Sequence, residues 1–267
     1  MLSGHERGGA LPQSMSAGSP IALSGVLVRR PIADAQRGHR VPDSERNAAH
    51  FHRDVFDREL LAVKEGVVRM GALVAGSIDA AVAALAAQDV AAARAVIASD
   101  KAINDAQAEL TTLTITTIAT QAPVARDLMF LIALTHVTYE LERIGDHAVG
   151  VARETLRLGQ TASAGGSSLV RMGELASSLL HGVLRSLVDL DMEEARIVAA
   201  GDDEIDRLYH SYFERALDRM RGDPAWVDAG AHLLFAAKHL ERIGDRVTNI
   251  AEEVVFLASG VVEDLNP

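Results

Sequence analysis

The chain has 267 residues, enough for one large or two small domains at roughly 100 to 200 residues each. Hydrophobic residues make up 48 %, aromatics only 4 %, and cysteine is absent; Ala, Leu and Val must build the core, which predicts an all-helical protein and excludes disulfide scaffolds, thiolate metal sites and cysteine nucleophiles. A formal net charge of −11 works against a sequence-independent hold on nucleic-acid phosphates and suits a cation or a basic protein surface.

Residues 1–50 are rich in Gly, Ser, Pro and Arg and have no apolar period. Six Arg against four acids give them a net charge of +2, leaving 20 basic and 33 acidic residues, net −13, for the rest. Such a segment cannot bury enough apolar surface to offset its ordering entropy. It reads as a disordered extension, or as a start codon placed too early with Met15 an internal alternative. No stretch approaches the roughly 18 apolar residues of a membrane span, and the first thirty residues lack a basic start, apolar stretch and cleavage site in series. The expectation is a soluble, cytoplasmic protein that does not span a membrane and has no nucleic-acid partner.

From Phe51 onward the pattern becomes long helical periods with almost no Pro. Breaks fall at Gln88-Asp89, Gln121-Ala122-Pro123, Gly159 to Ser168, Leu190-Asp191 and Arg221-Gly222-Asp223-Pro224, where Gly, Pro, Asp or Ser coincide with a lapse in periodicity. Six helices result, most of them about 25 to 35 residues long, well beyond the globular average of about 11 to 12.

An internal repeat organises these helices. At an offset of 102, Met70, Gly71 and Leu73 fall on Met172, Gly173 and Leu175, Leu85 on Leu187, Asp89 on Asp191, Ala93 and Arg94 on Ala195 and Arg196, and Asp100 and Ile103 on Asp202 and Ile205. The offset then falls to 99, and Leu-Glu-Arg-Ile-Gly-Asp at 141–146 recurs at 240–245. The prediction is two tandem, sequence-related three-helix bundles: 51–158 and 169–260, joined by a linker at 159–168 and followed by a tail at 261–267.

The last helix of each repeat carries an acidic face beside its apolar seam. Leu240, Ile243, Val247, Ile250, Val254 and Leu257 alternate by three and four. Glu241 and Asp245 lie off that seam, about 40° apart on one face at 100° per residue, with Asn249 and Glu252 continuing it. Glu142 and Asp146 repeat the pair. Like charges at i, i+4 disfavour a helix by roughly 0.2–0.5 kcal/mol, and a mid-helix Gly145 or Gly244 costs about 1 kcal/mol relative to Ala. Both unfavourable choices recur together, which points to a close approach there by an ion, a partner or another helix. On the preceding helix, Asp100 with Asn104 and Asp202 with Asp206 form a second pair at the same spacing. Facing pairs would make an oxygen-rich site for a hard cation such as iron, manganese, magnesium or calcium. The plain alternative is a solvated acidic surface neutralised by Arg143 and Arg242.

The histidines carry less information. His147 has Arg246 as its counterpart, and His136, His232 and His239 read as ordinary packed or exposed residues. No Glu-x-x-His element of a di-iron carboxylate oxidase is present, nor a P-loop, G-x-S-x-G or dinucleotide fingerprint.

Leu-Glu-Arg-Ile-Gly-Asp-His-Ala-Val at 141–149, Leu-Glu-Arg-Ile-Gly-Asp-Arg-Val-Thr-Asn-Ile-Ala-Glu at 240–252, Asp-x-x-Ile-Asn at 100–104 and Gln-Ala-Pro-Val-Ala-Arg-Asp-Leu at 121–128 resemble the PhoU proteins. The resemblance covers about 51–260. It implies two three-helix bundles, a homodimer, and a cytoplasmic regulator that limits uptake by the high-affinity phosphate ABC transporter through its ATPase subunit. It also implies repression of phosphate-starvation signalling through a phosphate-responsive sensor histidine kinase. The family's metal motifs fall on Glu142 with Asp146 and Glu241 with Asp245, their partner positions on Asp100, Asn104, Asp202 and Asp206, with Asn249 as a further ligand and zinc added to the possible ions. The first half departs from the pattern: Gly150 stands where the second has Asn249, Arg153 where it has Glu252, and Asn104 where it has Asp206. The first site is therefore expected to be the weaker. A non-catalytic regulator is the leading reading; its rivals are a carboxylate-bridged di-metal enzyme and an inert helical interaction module.

Overall fold

The computed structural model describes residues 43–159 and 166–266, with side chains from residue 54 onward. The expectation for residues 1–50 thus falls outside the described residues as far as 42, while 43–50 already belong to the first helix. The helices are α1 (Asp43–Ala87), α2 (Val90–Gln121), α3 (Arg126–Leu158), α4 (Gly166–Asp189), α5 (Met192–Ala200), α6 (Asp202–Gly222) and α7 (Val227–Ser259), with a 3-10 turn at Pro224–Trp226 before the last. No strand occurs among the described residues.

The predicted fifth helix is divided at Gly201. Its N–H reaches both Ile197 O at 3.2 Å and Val198 O at 3.0 Å, a local 3-10 tightening. Its backbone stays right-handed at φ −69°, ψ −20°, so α5 and α6 continue one rod and the described residues form six. Within Asp54–Ala87, α1 has an 18-residue window apolar enough to cross a membrane by length and composition, although no uninterrupted apolar run of that length occurs in it. Val63, Val67, Met70, Val74 and Ile78 of that helix are all buried in the core.

The repeat is visible in backbone detail. Gln88 and Leu190 both turn left-handed, at φ 52° and 53°. The next residues, Asp89 and Asp191, share φ −86° and ψ 98° and accept from two following amides, Ala91 and Ala92 in one case and Glu193 and Glu194 in the other. Each carboxylate thereby satisfies orphan donors at a helix start. Buried positions correspond as well: Met70 with Met172, Ile103 with Ile205, Leu141 with Leu240, and Ile144 with Ile243.

Helices α1–α3 form one bundle and α4–α7 the other, and the two share one hydrophobic core. They join along two antiparallel seams, α1 on α4 and α3 on α7. Each seam maps onto itself when the repeats are exchanged. On the first, Leu184 occupies the space a Cβ at Gly71 would need, and Val82 does the same at Gly173. On the second, Glu140 pairs with Arg246 at 3.4 Å, and the exchanged positions are His239 and His147, whose Nδ1 atoms lie 3.2 Å apart.

Candidate metal centre

Packing decides which acids face one another. Leu141, Ile144 and Ala148 on α3, and Leu240, Ile243 and Val247 on α7, are spent on the core. That leaves Glu142 and Asp146 at the α2 border, and Glu241 and Asp245 at the α6 border.

In the second repeat α6 comes in against Gly244. A Cβ there would lie 3.2 Å from Ile205 Cδ1 and within the van der Waals envelope of Asp202 Oδ1, so the glycine admits a carboxylate against the α7 backbone. Asp202 is only 4 % exposed and Glu241 9 %. Asp202 Oδ1 and Glu241 Oε2 are both buried without a hydrogen-bond partner, whereas buried polar atoms are normally satisfied. Burial first, and then the neighbouring Asp206, Asp245, Glu241 and Asp203, push the Asp202 carboxyl up to about 7. Counter-charge reaches only part of the cluster. Lys238 pairs with Glu241; Arg242 lies 3.0 Å from Asp245 Oδ2 and 3.7 Å from Glu241 Oε2. Asn249 and Glu252 extend the same face into a cleft of about 440 Å³ shared with Arg242, Asp245 and Arg246.

The first repeat is more open and better satisfied. Gly145 there meets a methyl, Ile103 Cδ1, 3.1 Å from where a Cβ would stand. Asp100 Oδ2 accepts from Asn104 Nδ2 at 3.0 Å. Asp146 and Asn104 are exposed. Burial and then Asp146 raise the Glu142 carboxyl above its usual range, opposed by Arg143. Among the described residues, no three acid or imidazole side chains stand close enough in this arrangement to grip one ion. In the second repeat the carboxylates are a gathered, mutually repelling set with two orphaned oxygens, the chemistry a hard cation would relieve.

The sequence left open what approaches the paired glycines; it is the preceding helix of the same repeat. Sequence reasoning also missed the α3–α7 seam. His147 and His239, read as unremarkable, meet there, and the His239 ring fills the space a side chain on residue 150 would take. That is the physical reason Gly150 replaces the Asn of the second repeat. Further along, buried Glu154, 3 % exposed, takes His232 Nδ1 at 2.7 Å and an ion pair from Arg157. His136 pairs with Glu253 at 2.9 Å.

One ring of the His147–His239 pair donates to the other, so the accepting ring carries no proton on its Nδ1. Burial, His239 and then Arg246, Arg242 and Arg143 push His147 down to about 4; burial also lowers His239, opposed by Glu154. A folded value below the unfolded value of about 6.5 gives stability that is whole above that pH and drains as pH falls toward 4. The expected loss is about 1–2 kcal/mol after discounting for the half-exposed ring. Urea unfolding at pH 7.5 and pH 5 should show it in the wild type and show less of it in His147→Gln.

A family model described as the PhoU domain matches residues 67–155 and again 169–254. The phosphate-specific transport system accessory protein PhoU homolog of Caulobacter vibrioides is 36 % identical over 207 residues, spanning 77 % of this chain and 90 % of that protein. The homolog from Clostridium acetobutylicum is 34 % identical over 216 residues, 80 % of this chain and 99 % of that one. Among solved structures, PhoU from Streptococcus pneumoniae aligns with a TM-score of 0.74 at 30 % identity, covering 78 % of this chain and 99 % of its own. PhoU from Pseudomonas aeruginosa aligns at 0.72 and 30 %, covering 77 % and 100 %. With both repeats matched in order, and with the duplicated caps, seams and acidic faces already described, this chain belongs to the PhoU family.

Proposed function

We propose that this protein is a cytoplasmic, homodimeric regulator of phosphate homeostasis. It limits uptake through contact with the ATPase subunit of the phosphate ABC transporter, and it holds the phosphate-responsive sensor histidine kinase in its repressing mode when phosphate is plentiful. The support is the family match over both repeats, together with relatives described as accessory proteins of the phosphate-specific transport system. Its output passes through contact: α3 exposes Ile132 and Tyr139, and α7 exposes Phe235. A body of net charge −13 outside residues 1–50 favours basic partner surfaces and association that weakens as salt screens charge.

The same reading includes a hard cation, an iron, manganese, magnesium, calcium or zinc ion. Asp202, Asp206, Glu241, Asp245 and Asn249 would hold it in the second repeat, and Asp100, Asn104, Glu142 and Asp146 more weakly in the first. The observation that carries the metal assignment is the orphaned, buried Asp202 oxygen set among four other acids. When bound, the ion would supply the positive charge that Lys238 and Arg242 supply only in part. The missing Glu-x-x-His elements count against a di-metal enzyme, and the duplicated acidic faces against an inert module.

A deletion strain grown in rich phosphate should express phosphate-starvation genes, and restoring the full chain should silence them. Normal repression in the deletion strain would overturn the proposal, as would purified protein that ignores both the ATPase subunit and the kinase.

A further inference from the structure

Beyond the end of α7 the chain does not leave the molecule. Gly260 turns left-handed at φ 73°, and residues 261–266 fold back across α7 toward α5. Arg196 on α5 holds Glu263 through two bonds, Nη2 to Oε2 at 2.7 Å and Nε to Oε1 at 3.3 Å. The Leu265 N–H donates to Glu252 Oε1 at 2.9 Å, and the Leu265 side chain packs against the core. The start of the segment is anchored by Val261 N–H to Ser259 Oγ at 3.0 Å. Val262, Asp264 and Asn266 thus become the outer wall of the cleft whose floor is Arg242, Asp245, Asn249 and Glu252.

This segment lies beyond the residues matched by the PhoU domain model, which ends at 254, and it touches the candidate metal face at one residue in particular. Glu252 belongs to the same helix face as Glu241 and Asp245, and one of its carboxylate oxygens is already taken by a main-chain amide. A carboxylate oxygen that accepts that hydrogen bond loses donor strength toward a cation.

We propose that residues 261–266 form a self-docked strap that competes with a divalent cation for Glu252 and the open end of the second acidic face, so that cation binding and strap docking oppose each other. This rests on the metal reading given above. The strap suits such a role because its hold is slight. The Arg196–Glu263 bridge is only half-buried, and ion pairs open to solvent contribute little and weaken with salt; Val261 and Val262 remain in solvent. A segment held by one surface bridge, one charge-assisted amide bond and one partly buried leucine can be displaced by a ligand with a modest preference for the free face.

The test uses the full chain, Arg196→Ala, and a chain ended at Gly260, which leaves every helix intact. Hydrogen exchange without metal should show the Leu265 amide protected in the wild type and exchanging several-fold faster in Arg196→Ala. Manganese(II) titrated by calorimetry should bind several-fold more tightly to the shortened chain, and saturating manganese(II) should raise exchange across 261–266 in the full chain. An unprotected Leu265 amide, or one indifferent to Arg196, would overturn the strap. Manganese(II) bound equally by both chain lengths would overturn the competition while leaving the metal reading standing. Manganese(II) bound by neither would overturn both.

Discussion

Gly244→Ala will destabilise this protein by up to about 2 kcal/mol net, whereas Gly145→Ala, its counterpart in the first repeat, will be close to neutral. Both substitutions gain about 1 kcal/mol of helix propensity. The difference lies in what the new methyl meets. At Gly145 it would stand 3.1 Å from Ile103 Cδ1, the end of a side chain that can turn aside. At Gly244 it would collide with the buried Asp202 carboxylate and approach Ile205 Cδ1, and overpacking of that kind typically costs about 1–3 kcal/mol. The coupling is checkable: in Asp202→Ala the penalty at Gly244 should largely vanish, a non-additivity expected only of groups in contact. Equal effects of the two glycine substitutions in urea unfolding would contradict the described approach of α6.

Asp202→Asn will raise stability above neutral pH. A carboxyl whose folded value is about 7, against about 3.8 when unfolded, binds its proton more tightly in the native state. Its favourable contribution is therefore complete below about pH 3.8 and is lost as pH rises through 7. At pH 8 the wild type carries an ionised carboxylate among Asp206, Asp245 and Glu241, and the amide does not. The expected gain is about 2–3 kcal/mol in metal-free protein at pH 8, shrinking toward zero by pH 4. Thermal melts across that range measure it, with about 2–4 °C per kcal/mol for a chain of this size. A saturating hard cation should stabilise the wild type more than the variant, since binding to the native state alone adds stability in proportion to affinity. A variant less stable than the wild type at pH 8 would mean that the carboxylate serves the fold and not a ligand.

How far these features could be read in the sequence depended on whether they are local. Helix starts at Asp89 and Asp191 are set by residues two or three positions apart, so they were visible, as were the apolar seams of α3 and α7. The acidic faces were visible for the same reason: one helical turn brings Glu241 beside Asp245. The division at Gly201 was not, because the N–H of one glycine shared between two carbonyls leaves the period of the surrounding helix unbroken. The start of α1 at Asp43 was hidden as well, since residues 43–50 have no apolar face to announce a helix. The burial difference between Asp202 and Asp100 depends on how closely α6 and α2 lie against their neighbours, which the near-identical motifs do not encode. The pairing of His147 with His239 joins residues 92 positions apart on two helices whose mutual register no local motif sets.

The central claim is that the two acidic faces, alike in sequence, differ in their hold on a cation. The most direct measurement is metal content by elemental analysis, after loading with manganese(II) or iron and removal of free ion, for wild type, Glu142→Ala with Asp146→Ala, and Glu241→Ala with Asp245→Ala. The account predicts that the second double variant loses most of the bound metal and the first only a minor share. Equal losses, or none from either, would contradict it and leave the acids as a solvated surface.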